Sequence, residues 1–373
     1  MKLFLSTLIC IAAVVIGIYN TPHIFETIKD VTPSQLQSQV SQLLSTINTL
    51  AEQILLPTPG LHQDITLQAK MTTPRPIRMV FEATEQSEGA GARVRRSIGT
   101  PKLRNLSPFL MLDHLIVGND AGFPDHPHRG QETITYVLSG SIDHEDFAGN
   151  KGTIGPGDLQ FMTAGKGIMH AEMPHQNEDG SLNVGFQLWV DLPKELKAVE
   201  PRYRDLRASE IPIADVDDGR VSIKVISGQS HGVDSVRDLA YTPVWYFDIT
   251  IKPGGRVKQL LPLGWNTFAY TFEGTTYFVD KGDTKPVKKF HNVVFEPSGD
   301  HVEAYVPDNA EESSRFLLLA GQPLNQEIVQ YGPFVCTSRE EVYQAMADFR
   351  SGKNGFERSL GWQSEIGKRM EHF

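Results

Sequence analysis

Three patterns of apolar and polar positions follow one another along the chain. The first, MKLFLSTLICIAAVVIGIYN, holds one charge, Lys2, ahead of an uncharged apolar run from Leu3 to Tyr19. A run of that length just suffices to span a bilayer, so residues 1–20 read as a signal anchor or an organelle-targeting segment. Contact with the membrane is therefore expected through residues 3–19. The single lysine ahead of the run predicts a cytosolic N-terminus.

The second pattern is TPSQLQSQVSQLLSTINTLAEQILL, residues 32–56. Thr32 followed by Pro33 is a helix start. Leu36, Val40, Leu43, Ile47, Leu50 and Ile54 recur in steps of four and three, a heptad seam. It predicts a helical stalk that joins copies of the chain into a homo-oligomer through residues 36–54. A helix packed on the body or on a membrane has the same pattern. The Pro-rich, polar stretch 57–78 reads as a linker, and the stalk and linker together are assigned to 21–75.

From about residue 76 the pattern turns to short alternating strands separated by Gly, Pro and Asp. TITYVLSGSI (133–142), LNVGFQLWVDL (182–192), WYFDITI (245–251) and TFAYTFEGTTYFV (267–279) are the clearest. Closely spaced short strands with turn signals predict antiparallel barrels or jelly rolls. TITYVLSG echoes TFAYTFEG, and at the same offset QFMTAG (160–165) echoes VFEPSG (294–299), setting Phe161 on Phe295. The echo predicts two related barrels, at 76–216 and 217–373. A helix follows them, in TSREEVYQAMADFRSGKNG, with a cap at Ser338 and Glu341 and an apolar face of Val342, Ala345, Met346 and Phe349.

Composition changes this picture little. The 373 residues are 40 % hydrophobic and 21 % charged, with net charge -10, as for a globular chain with a core. The short basic group Arg93, Arg95, Arg96 reads as ordinary surface, and direct nucleic-acid binding is not expected. Cys10 and Cys336 are the two cysteines, and Cys10 lies in the apolar run, so no disulfide is expected.

The chemistry sits in the histidines. In FPDHPHRGQ, His126 and His128 stand two apart; in GIMHAEMP, His170 and Glu172 do the same. Residues two apart on a strand share a face, so two facing strands can gather three imidazoles and a carboxylate. Such a set, without thiolate, suits Fe(II), Mn(II), Ni(II) or Cu(II); a structural zinc site is usually closed and cysteine-rich. Glu132 is the rival carboxylate, as a ligand in place of Glu172 or in support of the ligands. His114 is expected to pack and hydrogen-bond inside. His144 in a polar hairpin and His175 in a turn are expected to meet solvent, and His301 with Glu303 to lie on surface or loop.

GFPDHPHRGQETITYVLSG with GDLQFMTAGKGIMHAEMP resembles the pirin family of the cupin superfamily. SEGAGARVRRSIG, PFLMLDH, HEDFAGNKG, FQLWVDLP, EPRYRDL, the AGQPLNQEIVQYGPFVCTSREEVYQAMADF stretch and KNGFER resemble it too, in order, from about residue 76 to 365. The resemblance implies an all-β bicupin, two tandem jelly-roll-like barrels with a C-terminal helix. It implies a metal in the N-terminal barrel alone, held by His126, His128, His170 and Glu172. Iron is the family's usual metal; Mn, Ni, Cu or Zn stay open. Family members are similar to quercetin 2,3-dioxygenases, which open a flavonol ring with O2 and release carbon monoxide. Others are nuclear, non-catalytic co-regulators of transcription whose partner binding follows the state of the iron. On the enzyme reading Glu172 is the catalytic base, and Met162, Phe186, Leu188 and Trp189 offer an apolar wall, of which strand alternation lets only some face inward. Where the second unit should carry histidines it has LLPLGWN, and Leu261 and Leu263 cannot ligate. That barrel is expected to be structural or to bind a protein partner. A form starting at Met71 would be free for the cytoplasm or nucleus.

Overall fold

The structure is a computed structural model that describes residues 73–368, apart from 178 and 238. The membrane and targeting segment and the stalk expected at 36–54 lie outside the described residues. The described part is mostly β, with two related barrels and a helix, Arg339–Ser351.

Each barrel is a seven-stranded sheet facing a four-stranded one, all pairs antiparallel. In the first barrel Gln131–Ser139, Asn183–Asp191 and Phe109–Val117 are central to the larger sheet, and the smaller holds Phe123–His128 and Ile168–Pro174. In the second, Asn266–Glu273, Ser314–Gly321 and Val244–Ile251 are central. Two of the alternating runs, TITYVLSGSI and TFAYTFEGTTYFV, are each broken once. Gly140 and Gly274, the shared glycines of the echo, both turn the chain at positive φ, +70° and +62°. A Cβ there would meet Asn183 Oδ1 at 2.2 Å and Ser313 O at 2.3 Å, so glycine is required at both turns.

The two large sheets pack face to face. Ile134, Tyr136, Phe186 and Leu188 from the first meet Phe268, Tyr270, Leu317 and Leu319 from the second in one continuous core. The alternate residues of the second sheet, among them Phe247, Ile249, Ala269, Phe316 and Leu318, fill the second barrel with apolar side chains. The echo is therefore half right. Tyr136 and Tyr270 occupy matching places, but Phe161 faces the core between the barrels while Phe295 faces the second barrel's interior. Strand register explains this: Phe161 pairs with Ile134, and Phe295 with Thr267 rather than Phe268.

The chain laces the barrels together. Ile77–Glu82 precedes the first barrel yet pairs with His291–Phe295 of the second. Beyond Val329 the chain returns to the first barrel: Arg129 pairs with Asp348 at 2.8 Å, and its guanidinium lies 4.8 Å from the Phe356 ring. The boundaries expected at 76–216 and 217–373 cut across this exchange. The helix is capped as expected, with Ser338 Oγ accepting from the Glu341 amide at 3.2 Å, and Val342 and Ala345 buried.

His114 packs as expected, stacked on Phe186 with Nδ1 3.3 Å from the Tyr270 hydroxyl. Burial, then the charge of Arg95, pull its imidazole down to about 4. Above the ordinary value of 6.5 it is neutral both folded and unfolded. Below it the unfolded chain takes the proton first, so stability falls with pH through the window from 6.5 to about 4, by up to roughly 3 kcal/mol. Urea unfolding at pH 7 and pH 5 should show this loss, and His114→Gln should flatten it.

Candidate metal centre

The strands Phe123–His128 and Ile168–Pro174 are neighbours whose register sets His170 opposite His126 and Ile168 opposite His128. A register shift between His170 and Glu172 re-aims the carboxylate. The ligand atoms of His126, His128 and His170 lie within 4.8 Å of one another, and among the described residues they form the one such group.

Each ring is oriented through Nδ1. His126 Nδ1 lies 2.8 Å from Pro124 O, and a carbonyl only accepts, so Nδ1 carries the proton and Nε2 a lone pair. His170 Nδ1 lies 3.1 Å from the Tyr203 hydroxyl. His128 Nδ1 lies 2.6 Å from the Gln131 amide, whose Oε1 has no partner. The two ends of an amide have one shape, and the orientation with Oε1 accepting from Nδ1–H satisfies both groups. All three rings thus direct Nε2 to a common place. His126 and His170 hold theirs 3.0 Å apart, and His128 Nε2 is buried with no partner. A shared proton can relieve the first pair but leaves His128 orphaned; a metal ion serves all three. Burial, with the charge of His126, holds the His128 and His170 imidazoles well below their ordinary value, so both stay neutral, the form that ligates.

Glu172 lies beside this cluster. Thr135 donates to its Oε1 and the Gln187 amide to its Oε2, both at 2.8 Å, and Oε2 is 4.0 Å from His170 Nε2. The three histidines are gathered as expected, with the carboxylate held next to them by these two bonds. Glu132, the rival, is turned elsewhere. It accepts from Thr163 Oγ1 at 2.8 Å and from the amides of Tyr241 and Thr242 at 2.9 and 3.0 Å. Its carboxylate, which burial pushes above the usual range, ties the first barrel to a loop of the second rather than supporting a histidine.

Of the expected apolar wall, two residues face the site. The Trp189 ring stands edge-on to His128 at 5.0 Å, and Met162 packs with Ala164 and Ile168 on the inner side. Phe186 and Leu188 are corrected: alternation turns them into the core between the barrels, leaving Gln187 and Trp189 inward. A largely apolar cleft, about 340 Å³ counting the part open to solvent, begins beside Glu172 and is lined by Leu115, Val117, Phe123, Ile142, Pro174 and Gly185. Two other expectations also change. His144 is buried, stacked on Tyr203 and 3.3 Å from Asp205. His301 is buried on a strand, bonded to Asp300, with Glu303 3.8 Å away.

The C-terminal segment pins the ligand strand at two points. Asp125, next to His126, accepts from the Ser364 amide at 3.0 Å and from its hydroxyl. Arg129, next to His128, is held by Asp348 and by Asn354 O.

Gln131, Thr135, Gln187 and Tyr203 were not singled out from sequence, because uncharged polar residues in strands carry no motif of their own. Replacing Gln131 by Ala or Tyr203 by Phe should free a ligand ring and weaken metal binding about 10–100-fold. Competitive chelator titration reads this directly, and unchanged affinity in both variants would remove these residues from the centre.

The chain matches the family model described as Pirin over residues 91–190, and that described as Pirin C-terminal cupin domain over 246–355. It is 45 % identical over 298 residues to Pirin of Homo sapiens, covering 80 % of this chain and 100 % of that protein. It is 44 % identical over 301 residues to a pirin-like protein of Solanum lycopersicum, covering 81 % and 100 %. In structure it is similar to a quercetin 2,3-dioxygenase from Acinetobacter baumannii, with a TM-score of 0.69 and 30 % identity over 76 % of this chain and 99 % of that one.

Proposed function

The chain belongs to the pirin family of two-barrel cupin proteins, and from that premise we propose that it is a metal-dependent oxygenase that opens a flavonol ring with O2, as a quercetin 2,3-dioxygenase does. The observation that carries the reading is the convergence of three imidazole Nε2 atoms beside a carboxylate that also lines an apolar cleft.

His126, His128 and His170 would hold the metal, for which we propose Fe(II). When bound it supplies a Lewis acid that acidifies the substrate hydroxyl. The protein's own residues do the rest. Glu172, at the cleft wall, accepts the hydroxyl proton on Oε1 or Oε2. Thr135 and Gln187 fix the direction in which those oxygens point. Leu115, Val117 and Phe123 offer apolar surface to a planar substrate and keep water from it.

The test uses the full chain and a form beginning at Met71, loaded with iron and supplied with quercetin and air. Substrate loss with release of carbon monoxide is expected, and Glu172→Gln should lower kcat about 10²–10⁴-fold at unchanged metal content. Iron-loaded protein without turnover would overturn the oxygenase reading in favour of a non-catalytic, iron-dependent co-regulator or redox sensor.

A further inference from the structure

The strand Arg202–Leu206 is an edge of the first barrel's large sheet, and its two faces meet different surroundings. Tyr203 points inward, to His170. Arg202 and Arg204 point outward, as alternation requires. On that side a cleft of about 350 Å³, counting the part open to solvent, lies between the strand and a loop of the second barrel, lined by Phe161, Arg202, Tyr203, Arg204 and Leu239.

The cations in it are poorly matched. Arg202 donates to Thr163 Oγ1 and Leu239 O, and Arg204 to Arg237 O, each at 3.3 Å, long bonds to uncharged acceptors. Among the described residues neither has a carboxylate within the 4.0 Å of an ion pair. Glu132 feels the charge of Arg202, with Thr163 bonded to both. Among the described residues that balances one arginine and leaves one over. Asp205, next to Arg204 in sequence, is turned the other way, to His144 and Gln160. The Arg202 guanidinium carbon lies over the Tyr241 ring, 3.7 Å from its centre, which fixes its direction. The floor, Phe161 and Leu239, is apolar and buried.

We propose that this cleft is a binding site for a small organic anion, a carboxylate or phosphate on a planar apolar body. Arg202 and Arg204 take the anionic group, since planar guanidinium groups match both kinds of oxyanion, and Phe161 and Leu239 take the body. The site is separate from the cleft beside Glu172 and does not depend on the metal or on the oxygenase reading.

Calorimetric titration of the full chain with phenyl phosphate, benzoate and inorganic phosphate tests it. Anions also bind open metal positions, so each titration is run on iron-loaded and on chelator-stripped protein. Binding of both aromatic anions is expected in both forms, at least tenfold tighter than inorganic phosphate. Arg204→Gln should weaken it about tenfold, and the Arg202→Gln, Arg204→Gln pair should abolish it. Should the pair fail to fold, Arg204→Gln alone decides. Binding seen only with iron present, binding unchanged by Arg204→Gln, or inorganic phosphate bound as tightly as phenyl phosphate would each overturn the assignment.

Discussion

Replacing His128 by alanine is expected to abolish metal binding at the three-histidine cluster while leaving both barrels folded. His128 is the fully buried member of the cluster whose Nε2 has no partner within the protein. A buried polar atom left unpaired costs about 1–3 kcal/mol, so in the absence of metal this side chain stabilises little and its loss is tolerated. With metal the balance reverses. If a three-histidine site yields about 10–16 kcal/mol, one ligand accounts for about 3–5 kcal/mol, or more than a hundredfold in affinity. Metal analysis after dialysis should find wild type loaded and the variant empty. Thermal unfolding adds a second reading: metal should raise the wild-type midpoint and leave that of His128→Ala where it was. Stoichiometric metal in the variant would show that the centre lies elsewhere.

The second large effect separates two neighbours in sequence. Phe186→Ala should destabilise the fold by about 3–5 kcal/mol, because the ring is fully buried among His114, Tyr270 and Phe272 in the core between the barrels. Metal affinity per folded molecule should be unchanged. Trp189→Ala, on the opposite face and against His128, should disturb metal binding. Equilibrium unfolding paired with chelator competition on both variants distinguishes the faces. If Phe186→Ala altered metal affinity as much as Trp189→Ala, the two faces of Asn183–Asp191 would have been assigned the wrong way round.

That strand shows what could be read in advance and what could not. The histidines were legible because His-x-His and His-x-Glu place like chemistry two apart, the one spacing a strand turns into a shared face. The face of FQLWVDL was not legible. Both sides of this sheet are buried, one against the second barrel and one around the site, so both carry large apolar residues and alternation loses its contrast. Glu132 misled for a related reason. It follows His128 closely in sequence, yet its neighbour Gln131 takes the inward direction, and Glu132 is sent across to Tyr241 and Thr242, more than a hundred residues away. Burial of His144 and His301 depends on partners that sequence spacing cannot announce, Tyr203 and Asp205 for the one and Asp300 for the other.

The exchange of terminal segments bears on how the molecule comes apart. A strand from before the first barrel completes the second, and a segment from beyond the second braces the strand that carries His126 and His128. Neither barrel can melt without releasing a piece of the other, so heating should produce one shared transition rather than two. A protease nick in the stretch joining the barrels would leave both halves tethered by these crossings, a nicked molecule that still runs as one particle until denaturant is added.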